Sequence, residues 1–207
     1  MRITVLTRRW ARPGREAALV AASRELIEPV GPQREALDRS EIFQGLTDPC
    51  QTLYLATWQS REAYLEHRAH GCIDMRLDPL CRGEAARYFL RRWVVYENPQ
   101  ARATTVDCVL LQSPPDQREV LWAFLLRESG PKIRTQPGFC YRRIYQNLDH
   151  PDHVVVVRGW ESPAAWERFR DEVEPSINLA GHFIGAATEH FIGLVQREFG
   201  TPSAGEA

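Results

Sequence analysis

Ile42–Trp58 reads IFQGLTDPCQTLYLATW, and Ile144–Trp160 reads IYQNLDHPDHVVVVRGW. Aligned, the two stretches share Ile42/Ile144, Gln44/Gln146, Leu46/Leu148, Pro49/Pro151 and Trp58/Trp160, each pair 102 residues apart. Each holds two β-rich runs around a short polar turn, the pattern of an antiparallel hairpin. Phe89 and Phe191 keep the same offset, so the register runs unbroken from the hairpin to the last strand of each half. A repeat of this period in a chain of 207 residues means two copies of one structural unit.

The elements around each hairpin follow one order. In the first half, Ile3–Trp10 is strand-like and 15–28 is rich in helix formers, with Pro29, Gly31 and Pro32 as its stop. Strands are expected near 39–44 and 52–58. A helix follows, N-capped by Ser60, with Ala63, Tyr64 and His67 on one face. Residues 71–83 read as irregular and 86–97 as a strand. The second half repeats this with strands at 106–111, 139–146, 153–160 and 188–196. Its helices are expected at 117–127, stopped by Gly130-Pro131, and at 162–172. The order β-α-β-β-α-β, twice, is the ferredoxin-like split βαβ unit and gives an α+β fold. The halves are drawn at 1–98 and 104–199, with 200–207 as a tail. One face of each sheet lacks helices, so the two sheets are expected to pair as an intramolecular pseudo-dimer, an α+β barrel.

Net charge is −1, with 26 Lys+Arg against 27 Asp+Glu. That balance favours neither nucleic acid nor a membrane surface as a partner. No apolar run approaches the roughly 20 residues of a membrane-spanning helix, and the N-terminus reads as a strand rather than a leader. Cys50, Cys72, Cys81, Cys108 and Cys140 are an odd set without close pairing, so thiols in a cytoplasmic protein are expected. The short arginine pairs (Arg8–Arg9, Arg91–Arg92, Arg142–Arg143) sit inside strand-like runs, with solvated faces preferred for Arg92 and Arg143 over ligand contacts.

The element order, and above all the run Trp58, Ser60, Glu62, Ala63, Tyr64, His67 (W-x-S-x-E-A-Y-x-x-H), resembles the antibiotic biosynthesis monooxygenase-like domain of the dimeric α+β barrel superfamily. The resemblance spans Ile3 to Glu97 and Val106 to Phe199. It implies a cofactor-independent monooxygenase-like enzyme for a small aromatic or quinol-type metabolite, since members of that family oxidise such molecules without a metal or flavin. Trp58 and Tyr64 match the spacing of a pocket-lining pair in that group, and His67 stands where the family helix commonly carries a His. Tyr64 and His67 are thus the catalytic candidates, His67 as a base, in a pocket placed mainly in the first half. Tyr54, Tyr88, Trp160, Trp166 and His190 are the further substrate-lining candidates; His190 stands 102 residues after Tyr88.

The second copy puts Phe169 where the first has His67, so a buried core imidazole is the structural alternative for that residue. His67, His70, Cys72 and Cys81 are donor types that zinc accepts, but their spacing matches no strong zinc signature, and no metal is expected. The first strand, ITVLTRR, lacks the Asn of the haem-degrading subgroup. A non-catalytic small-ligand or stress-associated module of the same fold is the alternative function, and further homodimerisation is left open.

Overall fold

The computed structural model describes residues 1–26, 33–70, 73–177 and 188–199. Pro29, Gly31, Pro32, Cys72, His182 and the tail at 200–207 lie outside the described residues. The first half consists of β1 (Ile3–Trp10), α1 (Glu16–Leu26), the short α2 (Gln33–Ala36), β2 (Leu37–Gly45), β3 (Gln51–Trp58), α3 (Arg61–His70), α4 (Ile73–Leu77) and β4 (Ala86–Glu97). The second runs β5 (Thr105–Gln112), α5 (Arg118–Ala123), a π-helical turn (Phe124–Ser129), α6 (Gly130–Arg134), β6 (Phe139–Asn147), β7 (His153–Trp160), α7 (Pro163–Glu172), α8 (Glu174–Ile177) and β8 (Thr188–Phe199).

Both hairpins form as expected, and their shared residues have shared work. Gln44 Nε2 donates to Pro49 O at 3.3 Å, and Gln146 Nε2 donates to Pro151 O at 3.3 Å, closing the two turns alike. Ser60 Oγ accepts from Ala63 N at 3.1 Å and Ser162 Oγ from Ala165 N at 3.2 Å, so each helix after the Trp is capped by the same residue type. The 102-residue offset reaches the first strands as well: Ile3 pairs with Trp58 and Thr105 with Trp160.

The described residues form two compact units, 1–91 with 193–199 and 92–192, so β4 and β8 each contribute one part to either unit. Within the first unit the hydrogen-bonded order is β4-β1-β3-β2-β8, around a core of Val5, Leu6, Ile42, Phe43, Leu53 and Leu90, each fully buried. Within the second it is β8-β5-β7-β6-β4, around Val106, Cys108, Ile144, Val154, Val157 and Trp160. The strand order as a whole closes, β1-β3-β2-β8-β5-β7-β6-β4, and the fold is an α+β barrel of two ferredoxin-like repeats. No helix is long and apolar enough to cross a membrane among the described residues.

Two expectations need correction. Gly130-Pro131 does not stop the helix, which continues to Arg134. The π-helical turn shifts the ladder to wider i→i+5 bonds, and Pro131 enters as an opening residue of α6, where its missing N–H leaves no gap. Arg143 is not on a solvated face. It is 3% exposed, and its Nε donates to Glu97 Oε1 at 2.8 Å.

Candidate functional site

On one face of the first-unit sheet, cross-strand neighbours bring a polar set together. Thr7 stands opposite Tyr54 on β3 and Arg87 on β4, and Arg9 stands opposite Thr52. Side chains of directly paired residues share a face, so five residues scattered over 80 positions of sequence become one patch. Helix α1 adds Ser23 and Leu26, α3 adds Tyr64 and Arg68 one turn apart, and α4 adds Ile73, Asp74 and Leu77. The whole set lines a cavity of about 570 Å³ including its open mouth.

Asp74 is the electrostatic centre. Arg9 Nη2 and Arg87 Nη2 both donate to its Oδ1, and Arg68 Nε donates to Oδ2 at 2.7 Å. Arg9 Nη1 also holds Asp78 Oδ1 at 2.6 Å. Three guanidiniums against two carboxylates leave a net positive wall. Burial works to raise the Asp74 pKa, but the Arg68 hydrogen bond and the charges of Arg87 and Arg9 prevail and hold it below the usual carboxylate value. Asp74 is therefore ionised and a poor base. Burial raises the Tyr64 phenol, against Arg87 and Arg68, and raises Tyr54, against its bond to Ser40. Both hydroxyls stay protonated near neutrality and so keep a proton to donate.

Of the sequence candidates, Tyr54 and Tyr64 line this cavity, and Trp58 and His67 lie behind Tyr64. The Trp58 ring is 5.9 Å from Tyr64 and 4.7 Å from His67, and Tyr64 also meets Phe89 edge-on at 5.6 Å. His67 is buried, its Nδ1 has no hydrogen-bond partner, and burial lowers its pKa, so it is neutral at physiological pH. In the second unit Trp160 packs on Phe169 at 4.8 Å, nearly the same ring geometry as Trp58 on His67. Trp160 and Trp166 are buried, Tyr88 is half-buried, and His190 is exposed. His70 is exposed with Nδ1 against Glu66 O, and Cys81 lies beside Arg9. Among the described residues no group of three or more His, Cys, Asp or Glu is placed to hold a metal ion, and Cys50, Cys81, Cys108 and Cys140 are thiols.

The imidazole invites a direct test. His67→Phe copies the second half and removes a buried, unsatisfied nitrogen, whose burial costs about 1–3 kcal/mol. The variant is expected to match or exceed the wild type in urea stability. A loss of more than about 1 kcal/mol would show that His67 makes a bond the packing does not reveal.

Sequence reasoning missed Arg9, Arg68, Asp74 and Arg87. The second copy shows the contrast: Thr7, Arg9, Thr52, Tyr54 and Tyr64 become Val109, Leu111, Val154, Val156 and Trp166, all buried, and Asp74 becomes Ser176. Arg68 and Arg87 have charged counterparts in Arg170 and Glu189, so what the first half alone holds is the Asp74 carboxylate with the polar sheet residues Thr7, Arg9, Thr52 and Tyr54.

Residues 109–174 match the family model described as antibiotic biosynthesis monooxygenase. Solved structures with the same architecture cover almost the whole chain. An anthrone oxidase-like protein aligns over 96% of this chain and 92% of its own at 14% identity, with a TM-score of 0.76. A candidate monooxygenase from Fusobacterium nucleatum covers 97% and 94% at 8% identity, also with a TM-score of 0.76. One from Lactobacillus acidophilus covers 95% of both chains at 9% identity, with a TM-score of 0.71. At these identities the likeness is one of fold. No curated protein gives a significant sequence match. The family match lies in the half that carries Val109, Leu111, Val154, Val156 and Trp166, while the Trp-Ser-Glu-Ala-Tyr-His run and the polar cavity lie in the other.

Proposed function

We propose that the chain is a monooxygenase-like enzyme that oxidises a small aromatic, quinol-type molecule as its anion in the first-half cavity. The observation that carries this reading is the ring of Arg9, Arg68 and Arg87 with the Tyr54 and Tyr64 hydroxyls around one space also walled by Leu26, Ile73 and Leu77. Guanidiniums and phenol donors favour a bound oxyanion over its neutral acid, which lowers the substrate's own pKa in place. An electron-rich aromatic anion can then reduce dioxygen itself, one oxygen atom entering the ring as a carbonyl and the other leaving as water. In this scheme Tyr64 touches the substrate, and His67 acts by positioning Trp58 and Tyr64 rather than as the base. Oxygen uptake with a panel of quinols and anthrones tests it. Tyr64→Phe is expected to lower kcat by about 100-fold, the usual loss for one oxyanion donor. Uptake indistinguishable from the protein-free rate across the panel would sink the proposal.

A second reading rests on Asp74: pinned by three arginines, it is a poor proton acceptor, and among the described residues no other carboxylate lines the cavity. The cavity would then hold an apolar or aromatic anion without turning it over. Binding of a quinol in calorimetry, with full recovery of the unchanged compound, would distinguish that module from the enzyme.

A further inference from the structure

The second unit holds a buried cation with no counter-ion among the described residues. Arg142 on β6 is 5% exposed. Its Nη1 donates to Leu125 O at 2.7 Å and its Nη2 to Ser129 Oγ at 2.9 Å, both in the π-helical turn, and its Nε has no partner. Only neutral acceptors are used, and a guanidinium has five N–H donors. Among the described residues no carboxylate pairs with it. Directly across the hairpin stands Arg158, a like charge at a paired position. Arg158 is answered by Asp107 and Glu174; Arg142 is not. Burial, with Arg158 and Arg134 nearby, pushes its pKa down to about 9. The first copy has Ser40 and Ala56 at these two positions, so the charge is particular to the second half.

Arg142 lines a cavity of about 450 Å³, including its mouth, with Arg134, Tyr96, Val94, Val95, Leu126 and Gly130. Arg134 is exposed and lies over the Tyr96 ring at 5.1 Å. Gly130 makes room for the guanidinium, because a Cβ there would stand 3.1 Å from Arg142 Nη1. A buried guanidinium with unused donors is most stable when an anion completes it, and carboxylates match its fork. We propose that this cavity is a binding site for a small organic carboxylate. The carboxylate lies between Arg142 and Arg134, and the apolar body rests on Val94, Val95, Leu126 and Tyr96. The site does not depend on the function proposed for the first-half cavity.

Calorimetric titration of the intact protein with benzoate, and with neutral benzamide of the same shape, is the test. Benzoate is expected to bind saturably, more weakly as salt rises, and benzamide about tenfold more weakly or worse. Arg142→Gln is expected to lose at least about tenfold in benzoate affinity. Arg134→Gln, at an exposed position that leaves the core untouched, and Gly130→Ala, which crowds Arg142, should each weaken it too. Absence of binding, equal affinity for benzamide, or affinity unchanged in all three variants would overturn the site. So would a loss confined to Arg87→Gln, since benzoate would then occupy the first-half cavity.

Discussion

Asp74→Asn is expected to lower the thermal midpoint by roughly 6–12 °C. Removing one partner of a largely buried ion cluster costs about 3 kcal/mol, and a chain of this size loses roughly 2–4 °C per kcal/mol. The cause is repulsion: Arg9, Arg68 and Arg87 all converge on this carboxylate, and their side chains are 6%, 43% and 17% exposed. Arg9 keeps Asp78, and Arg68 can turn to water, so Arg87 is left worst placed. Added sulfate should restore more of the midpoint in Asp74→Asn than in the wild type, because an anion replaces the lost charge among the same guanidiniums. The pH dependence has a definite sign. Asp74 has a folded pKa below its unfolded value near 3.9, so its contribution is present above pH ~4 and lost as pH falls through the lower folded value. The wild type should weaken on that acid limb, and the Asn variant should lack this part of it. Equal midpoints for the two proteins at pH 7 would show that the arginines are hydrated individually.

What was legible in the sequence was what repeats. Ile42, Gln44, Pro49 and Trp58 recur 102 residues on because a buried β position, a turn-closing amide, the carbonyl it binds and a core indole are needed in both copies. With that register, strand composition and the Ser caps, the eight strands and the helix after each Trp could be placed. The cavity was not legible for two reasons. Thr7, Arg9, Thr52, Tyr54 and Arg87 share a face only through cross-strand pairing, which local periodicity does not supply. Asp74 sits in a stretch too short and too broken by Gly and Pro to show a helical period, yet its one-turn helix α4 delivers the carboxylate. The motif run did point to the right neighbourhood, since Tyr64 lines the cavity, with Trp58 and His67 packed behind it.

Arginines in strands misled for a related reason. Charge normally reads as solvent exposure, but Arg9, Arg142, Arg143 and Arg158 are all at most 5% exposed. Each lies on a sheet whose helices or neighbouring strands supply acceptors: Asp74 and Asp78 for Arg9, Leu125 O for Arg142, Glu97 for Arg143, Asp107 and Glu174 for Arg158. Such acceptors come from elements far away in sequence. The clue that was available is the copy comparison, because Val5, Ser40 and Ala56 become Asp107, Arg142 and Arg158 together. Three charges that appear in one copy at mutually paired positions imply a buried network rather than a solvated face.

That network carries the second large effect. Arg158→Met is expected to cost about 3–5 kcal/mol, because it strands Asp107, which is 0% exposed, without its counter-ion. Asp107→Val with Arg158→Met should recover most of the loss. Val stands at the equivalent position of the first half, and the Met side chain can keep the contact that Arg158 makes with the Phe169 ring, 4.8 Å away. Glu174 is 27% exposed and stays hydrated when its partner goes. The two variants should also differ in pH response. Burial raises the Asp107 pKa even against Arg158. Removing Arg158 raises it further, so the single variant is most stable where Asp107 is protonated and loses stability as pH rises through that folded value. Chemical denaturation of the wild type, the two single variants and the double at about pH 5 and pH 8, bracketing neutrality, reads both predictions. Simple additivity of the single effects at pH 8 would mean that Asp107 and Arg158 do not depend on one another, and the ion pair would lose its structural role.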